Sequence, residues 1–380
     1  MESKTRITVL IDWFVPGYKA GGPIQTIRNF VEAMADHFQL SVITKNVDHA
    51  STEPYPDIEP NTWIEWDSGA QLYYFSENHL SYRSLEKVIR DSQPDFIYIN
   101  SLFSLPFTIW PLWMGRKQAM GKVVLAPRGM LMEGALKQKR LKKKVFITAL
   151  KSSGVLQQVR WQATDPQEVQ DIRQHFGQKS EIQLVSNLPR QQQADWQSLE
   201  KVSGEMRLVF HSRLSPKKNI HALIGWLKEI EGKVWLDIYG PEEDLDYKAK
   251  CEGLIAALPE RKKVVLKGPL PPDELQARLA DYHFSALPTL GENFGHSIFE
   301  GLLAGKPVII SDKTPWRDLE EKEIGWDCEL EKEVQFKEAL NHALRMDQEI
   351  YDKWSRAAWE FARNYKSQPE LKERMQVLFQ

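Results

Sequence analysis

The chain alternates short apolar runs with longer amphipathic stretches, and this alternation predicts a repeated strand–helix order. RITVLIDWF (6–14) is rich in β-branched and aromatic residues, which predicts a buried strand. The loop PGYKAGG follows, and the apolar spacing of PIQTIRNFVEAMADHF then predicts a helix with Pro23 in its first turn. The series of strands continues with LSVITKN, QLYYFS, DFIYIN and KVVLAP, separated by helical stretches.

The polar stretch 190–204 interrupts this pattern and lacks strong periodicity, so we predict a linker there. The strands then resume with RLVFHS, KVWLDIYG, KVVLKG, FSALPT and KPVIIS. Alternation in both halves predicts an α/β protein with two Rossmann-like, doubly wound parallel-sheet domains facing a cleft. We place these domains at 1–195 and 205–360, and leave open whether the C-terminal helix, about 360–380, packs back onto the first. Ligands of such sheets bind beyond the carboxyl ends of the strands.

Length and composition agree with two globular domains. The chain has 380 residues, of which 42% are hydrophobic and 27% are charged. Cys251 and Cys328 give neither a disulfide framework nor metal-ligand spacing, which favours a reducing compartment. Because Asp12 breaks the N-terminal apolar run and no cleavage pattern follows, we predict no signal peptide and a cytoplasmic location. The most apolar segment, 101–115, is too short to span a bilayer.

The net charge of −2 hides a strongly basic region. From Arg116 to Arg160, twelve lysines and arginines accompany a single acid, Glu133. Such a region predicts an anionic partner, either phosphate groups or a membrane surface, and the alternative is a solvated helix face. We predict no nucleic-acid partner. The scattered histidines show no metal-ligand spacing, so we also predict no metal site.

Two loops lie where the predicted sheets bind ligands. After the first strand, Gly21 and Gly22 permit close approach of a diphosphate to the amides that open the next helix. This loop matches neither GxGxxG nor GxxxxGKS, and a purely structural turn is the alternative. At the start of the second half, HSRLSPKKN carries Arg213, Lys217 and Lys218, a set suited to clamping a diphosphate. The alternative is an ordinary surface loop.

The stretch LGENFGHSIFEG places Glu292 before a predicted helix and Glu300 within it. Eight helical steps separate them by roughly 12 Å, too far for the acid–nucleophile pair of a retaining glycosidase, which lies roughly 5 Å apart. At that spacing the two carboxylates suit the hydroxyls of one extended ligand, and the amides near Phe294 and Gly295 suit an anion or a sugar oxygen. The alternative makes Glu292 a charge at the helix start and Glu300 a surface residue.

Taken together, the glycine loop, the R…KK loop and the E-x7-E stretch ahead of AGKPVI resemble family 4 of the retaining glycosyltransferases. The resemblance covers nearly the whole chain and implies the GT-B fold. It also implies transfer of a hexose from a nucleotide-diphosphate sugar without a metal or another cofactor. The segments VVLAPRGML, ATDPQEVQDI and KTPWRDL are similar to the polysaccharide-assembly branch, which implies a glycan or lipid-linked acceptor.

The resemblance also implies roles for individual residues. Glu300 would hold the donor ribose, and Glu292 would hold the donor sugar. The residues implied for catalysis are Glu292, Arg213 and Lys218, the two basic side chains neutralising the diphosphate. The residues implied for donor binding are Gly21, Gly22, Gly268, Asn293, Phe294, Gly295 and Glu300.

One departure from the family concerns the first domain, where many relatives carry a histidine after a strand. Here the strand ends offer Asn100, Ser101 and Arg128 instead, and we predict acceptor contacts by Asn100 and Arg128. His296 is either a donor contact or a helix-surface residue.

Two questions of partner and function stay open. An apolar segment beside a basic tract predicts that 101–146 docks on an anionic membrane, peripherally at the inner face of the plasma membrane. A non-catalytic nucleotide-sugar or polysaccharide-binding protein of the same fold is the alternative function. A dinucleotide oxidoreductase is excluded for want of the glycine fingerprint. The base of the nucleotide (UDP, GDP or ADP), the sugar and the linkage are left undetermined.

Overall fold

The computed structural model describes residues 4–115, 120–132, 135–136 and 140–380. The chain forms two compact units: Met1–Leu188 with Pro369–Gln380, and Pro189–Gln368. Part of the predicted basic tract, 137–139, lies outside the described residues, as do Arg116, Lys117 and Glu133.

The described strands form one sheet in each unit. The first unit contains β1 Arg6–Leu10, β2 Gln39–Lys45, β3 Trp63–Glu65, β4 Gln71–Phe75, β5 Phe96–Ile99, β6 Lys122–Leu125, β7 Val159–Ala163 and β8 Glu181–Leu184. The second contains β9 Glu205–His211, β10 Lys233–Tyr239, β11 Lys262–Gly268, β12 Phe284–Leu287, β13 Val308–Ser311 and β14 Gly325–Cys328. Their orders are β3-β4-β2-β1-β5-β6-β7-β8 and β11-β10-β9-β12-β13-β14. The pairing of β3 with β4 is antiparallel, and the other pairings between these strands are parallel.

Helices connect most of the consecutive parallel strands, whereas β13 and β14 are joined by a loop and β2 and β4 through β3. The described α-helices are α1 Gly22–Met34, α2 Tyr82–Asp91, α3 Trp110–Gly115, α4 Arg140–Ser152, α5 Pro166–Phe176, α6 Ile220–Leu227, α7 Leu245–Ala256, α8 Pro272–Arg278, α9 His296–Leu303, α10 Glu333–Arg345, α11 Gln348–Lys366 and α12 Pro369–Val377. A π-helical turn at Leu105–Ile109 precedes α3, and a 3-10 turn at Pro216–Lys218 precedes α6. No helix in the described part of the chain combines the length and apolarity needed to cross a lipid bilayer.

The end of the chain belongs to the first unit, because its aromatic residue completes a core there. Phe379 is buried, and its ring centroid lies 5.2 Å from that of Tyr98 and 5.6 Å from that of Phe96. The guanidinium of Arg160 donates hydrogen bonds to the carbonyls of Leu378 and Gln380, each at 2.9 Å. Residues 369–380 are therefore held by both apolar packing and polar contacts.

The stretch 190–204 lies in the second unit rather than forming a free linker. Gln193 donates to the carbonyls of Leu303 and Trp359, each at 3.1 Å. Lys201 donates to the carbonyl of Met346 at 2.9 Å. Polar side chains attach this segment together with Leu199, which packs against the core, and one such apolar contact gives no hydrophobic period. The observed division falls between Leu188 and Pro189 and again between Gln368 and Pro369, whereas the predicted domains were 1–195 and 205–360.

Candidate functional site

Two loops meet at the carboxyl edge of the second sheet. The chain leaves β9 at His211 and β12 at Leu287, and these strands are hydrogen-bonded neighbours. The amide of Leu290 donates to the carbonyl of Lys217 at 2.8 Å, which joins the loop after β12 to the turn before α6. This contact brings together the R…KK loop and the first glutamate of the E-x7-E stretch, although they are far apart in the sequence.

Glu292 and Lys218 form a largely enclosed ion pair. The ammonium of Lys218 lies 2.5 Å from Oε1 of Glu292, with side-chain exposures of 15% and 12% respectively. The hydroxyl of Thr289 donates to the same Oε1 at 2.8 Å. Burial raises the pKa of Glu292, but the charges of Lys218 and Lys217 outweigh it and hold this pKa below its ordinary value. Glu292 is therefore a carboxylate that accepts hydrogen bonds.

Arg213 sits three residues from the turn that carries Lys217 and Lys218, and its side chain is exposed. Within the described part of the chain, it has neither a hydrogen-bond partner nor an oppositely charged partner. Its planar guanidinium offers five N–H donors to an anion, and the geometry suits the paired oxygens of a phosphate. The loop therefore combines one available guanidinium with an ammonium already anchored by a carboxylate.

Glu300 lies on α9 beside His211, the last residue of β9. Nε2 of His211 is 3.6 Å from Oε2 of Glu300, and the side chains are 2% and 13% exposed. The roughly 12 Å expected between Glu292 and Glu300 assumed eight helical steps. In the structure α9 begins only at His296, because Gly295 adopts a left-handed conformation with φ 77°. The helical rise therefore applies only from His296 to Glu300, so the assumption of eight helical steps is wrong.

Between the two glutamates, Phe294 packs in the core and Gly295 forms the turn before α9. Phe294 is buried, and its carbonyl accepts a hydrogen bond from Nε1 of Trp316 at 2.6 Å. Gly295 has φ 77°, so another residue would be strained there, and its Cβ would also displace Cδ1 of Ile298, which lies 2.8 Å from that position. The side chain of Phe294 is thus part of the core, and only backbone groups of this residue are candidates for a ligand contact. The ring of His296 packs 4.9 Å from that of Phe294.

Gly240, which the sequence interpretation missed, shapes the start of the R…KK loop. A Cβ at Gly240 would stand 2.0 Å from the carbonyl oxygen of Ser212. The amide of Gly240 also donates to the carbonyl of Gly268 at 3.0 Å. Gly268, which ends β11 with φ 72°, is thereby connected to the loop after β10. Its contact with a nucleotide base stays a prediction, as do the donor contacts of Asn293, Phe294 and Gly295.

In the first unit, Gly21 and Gly22 open α1 as the sequence predicted. Gly21 is the N-cap with φ 67°, and its amide donates to the carbonyl of Tyr18 at 2.9 Å. The carboxylate of Asp48 holds the loop by accepting from the amides of Tyr18 at 3.0 Å and Lys19 at 3.2 Å. The sequence interpretation did not find Asp48, which lies beyond the next strand. Approach of a diphosphate to Gly21 and Gly22 stays a prediction.

The two predicted acceptor residues contact each other. Arg128 has φ 55°, and its Nη2 donates to Oδ1 of Asn100 at 2.7 Å. The same guanidinium also donates to Asn187 and to the hydroxyl of Tyr98. Most N–H groups of Arg128 are therefore hydrogen-bonded within the first unit, and they connect the carboxyl ends of β5 and β6. Its contact with an acceptor stays a prediction.

Within residues 4–115, 120–132, 135–136 and 140–380, no group of three or more His, Cys, Asp or Glu side chains is placed to hold a metal ion.

The comparisons with known proteins concern the second unit and the overall fold. Residues 191–361 match the family model described as glycosyl transferases group 1. No curated protein sequence matches the chain at a significant level.

Among solved structures, sucrose-phosphate synthase from Thermosynechococcus elongatus is similar with a TM-score of 0.70 and 16% identity, covering 99% of this chain and 98% of that one. HepE from Anabaena, solved with UDP and glucose, has a TM-score of 0.68 and 15% identity over 98% of both chains. WaaG, a glycosyltransferase involved in lipopolysaccharide biosynthesis, has a TM-score of 0.65 and 12% identity over 98% of both chains. The chain has the GT-B fold, and its second unit carries the match to glycosyl transferases group 1.

Proposed function

We propose that the protein is a retaining glycosyltransferase of the hexosyltransferase type, which moves a sugar from a nucleotide-diphosphate sugar to a glycan or lipid-linked acceptor. One observation carries this proposal. At the carboxyl edge of the second sheet, the exposed Arg213 lies in the same loop as Lys218, which pairs with Glu292, within the segment that matches glycosyl transferases group 1. Such an edge is where parallel sheets bind nucleotides.

The chemistry assigned to these side chains is stabilisation of a leaving group. When the bond between the sugar and the diphosphate breaks, negative charge grows on the diphosphate, and Arg213 and Lys218 offset it. The ammonium of Lys218 has three N–H donors, so its bond to Glu292 leaves others for a phosphate oxygen. In a retaining transfer the acceptor hydroxyl attacks from the side that the diphosphate leaves, and the departing phosphate takes its proton.

The carboxylates are assigned to the two sugars of the donor. Glu292 accepts hydrogen bonds from hydroxyls of the transferred sugar, and Glu300 accepts them from the ribose. The lowered pKa of Glu292 supports this role, because a carboxylate accepts hydrogen bonds that its protonated form accepts more weakly. HepE, of similar fold, was solved with UDP-glucose, so a UDP-sugar is the first donor to test.

Binding of the free nucleotide tests the donor site directly. Thermal unfolding is recorded with UDP, GDP and ADP, and we expect one of them to raise the midpoint because it binds only the folded chain. Glu300→Ala and Arg213→Ala should each abolish that shift. Matched controls are Glu231→Ala and Arg261→Ala, which change exposed residues just before β10 and β11, at the opposite edge of the same sheet. Equal shifts in all four variants would refute the proposed site.

Turnover separates an enzyme from a binding protein of the same fold. We expect release of the nucleoside diphosphate from its sugar nucleotide, at a rate that Lys218→Ala lowers at least about a hundredfold if it removes one stabilising group of the transition state. Adding a chelator should leave that rate unchanged, since basic side chains replace a metal in the proposal. A chain that binds the nucleotide but releases nothing would favour the non-catalytic alternative.

We assign the acceptor side to a membrane surface at the inner face of the plasma membrane, which makes the protein cytoplasmic and peripherally bound. In the described part of 101–146, Leu141 and Val145 are exposed at 76% and 62% on one turn of α4, beside exposed Lys142 and Lys144. The rings of Phe103 and Phe146 lie 5.3 Å apart, which joins the apolar segment to α4. The role of WaaG in lipopolysaccharide biosynthesis supports an acceptor of this kind.

Flotation with liposomes tests this assignment. Each lysine near an anionic surface contributes roughly 1 kcal/mol, so recovery should rise when anionic lipid is included. Changing Lys142 and Lys144 to Glu should remove that dependence, whereas the same change at the exposed Lys87 and Lys179 should leave it. Equal recovery with and without anionic lipid would contradict membrane docking.

A further inference from the structure

His211 is a buried histidine whose ring nitrogens are both unsatisfied. Its side chain is 2% exposed at the carboxyl end of β9, and neither Nδ1 nor Nε2 has a hydrogen-bond partner among the described residues. A buried polar atom without a partner destabilises the fold, and native structures contain few of them. Val209, which precedes His211 on the same face of β9, is apolar and fully buried. A histidine at the end of this strand therefore requires another explanation than packing.

The acceptor available to this ring is the carboxylate of Glu300. Nε2 of His211 and Oε2 of Glu300 are 3.6 Å apart, just beyond the range of a hydrogen bond. A shift of roughly half an ångström in either side chain would form that bond. Because a carboxylate accepts at both oxygens, Glu300 can receive the imidazole at Oε2 and still receive hydroxyl groups elsewhere.

We propose that His211 is a positioning residue for Glu300. Its Nε2–H donates to Oε2 when a ribose binds, which fixes the carboxylate for the ribose hydroxyls and makes the site selective for ribonucleotides over deoxyribonucleotides. This inference rests on the proposed function, since it uses Glu300 as the ribose contact. The sequence pattern assigned no role to His211, whose only signal was its place at the strand end before the R…KK loop.

The test compares two ligands in three variants of the full chain. The ligands are the nucleoside diphosphate that the wild-type chain binds among UDP, GDP and ADP, and its 2′,3′-dideoxy analogue, both measured by calorimetric titration. His211→Leu keeps a similar volume but removes the donor. His211→Gln presents an amide nitrogen near the place of Nε2, whereas His211→Asn presents one nearer Nδ1.

We expect His211→Leu and His211→Asn to weaken binding of the ribonucleotide about tenfold or more, as for a lost hydrogen bond to a charged group. Binding of the dideoxy analogue should change less than about twofold, and His211→Gln should restore the ribonucleotide affinity, within a factor of about three. In a Glu300→Ala background, which removes the acceptor of the Nε2–H bond, His211→Leu should have no further effect on any remaining preference for ribose, because it acts through Glu300.

The outcomes distinguish this inference from the proposed function. If the wild-type chain binds none of the three diphosphates, the proposed donor site fails and the inference fails with it. If the wild-type chain prefers the ribonucleotide but the His211 variants weaken both ligands equally, or neither, His211 is only structural and the donor site stands. Circular dichroism of each variant verifies folding, and His211→Gln supplies the comparison if His211→Leu does not fold.

Discussion

Removing one partner of the Lys218–Glu292 pair should destabilise the second unit as well as the donor site. Lys218→Met keeps the aliphatic stem but leaves Glu292 without the ammonium 2.5 Å away. An unpaired buried charge costs roughly 3 to 5 kcal/mol, and the 12% to 15% exposure of these side chains places this pair at the lower end. We therefore expect the free energy of unfolding to fall by about 3 kcal/mol at pH 7.5.

Urea unfolding followed by tryptophan fluorescence measures this loss. With a slope of about 2 kcal/mol per molar urea, the midpoint of the second unit should fall by about 1.5 M. The double variant Lys218→Met/Glu292→Gln removes the stranded charge, so it should be more stable than Lys218→Met alone. The expected coupling between the two changes is on the order of 1 to 3 kcal/mol.

The pH dependence of the free energy of unfolding tests whether the unpaired charge of Glu292 causes this loss. In the wild-type chain the pKa of Glu292 is lowered, so the pair stabilises the fold above the ordinary carboxyl range and that contribution is lost as pH falls through the folded-state pKa. In Lys218→Met the charge of Lys218 no longer opposes the effect of burial on the pKa of Glu292. Protonation of Glu292 then removes the unpaired buried charge. The difference between the two proteins should therefore shrink from pH 7.5 to pH 5. If the two proteins have equal free energies of unfolding at pH 7.5, or if their difference increases as pH falls, the unpaired charge is not the cause.

Two further predictions concern stability of the individual units. Nδ1 of His283 accepts from the amide of Arg207 and Nε2–H donates to the carbonyl of Glu200, while burial lowers the pKa of His283 to about 4 from 6.5. Because the unfolded chain binds that proton first, the free energy of unfolding should fall by about 3 kcal/mol as pH drops from about 6.5 to 4. Urea midpoints should show this pH dependence in the wild type but not in His283→Gln. Phe379→Ala removes a buried ring packed on Tyr98 and should lower the free energy of unfolding of the first unit by roughly 3 to 5 kcal/mol, measured from the urea midpoint. As a control, Val377→Ala at an exposed site should change it by less than about 0.5 kcal/mol.

The ion pair also has a consequence for donor binding. Lys218 is held by Glu292 before any ligand arrives, whereas Arg213 is exposed. A preformed pair places two charges without further loss of side-chain entropy, while Arg213 loses that entropy when it binds. Losing Arg213 should therefore affect ligand affinity with little effect on stability, whereas losing Lys218 affects both.

Local sequence determined the elements and most of the candidate residues. The alternation of β-branched runs with amphipathic stretches is sufficient to predict parallel sheets, because strand and helix periods differ and the crossover between parallel strands usually contains a helix. The capping residue Asp165 accepts from the amide of Glu168 at 2.9 Å as its position predicts. In a capping box Glu168 would also bond to the amide of Asp165, but its carboxylate accepts instead from the amides of Thr164 and Gly129.

Tertiary structure decided which of these residues meet. Glu292 pairs with Lys218 because β12 lies beside β9 in the sheet, a neighbourhood that no local pattern encodes. The same adjacency places His211 against Glu300 and leaves its ring without a partner. Residues 190–204 and 369–380 join their units through contacts with distant helices and carbonyls, so their composition alone could not assign them. Periodicity reports the face that a residue buries, whereas strand order and side-chain pairing depend on contacts between segments distant in the chain.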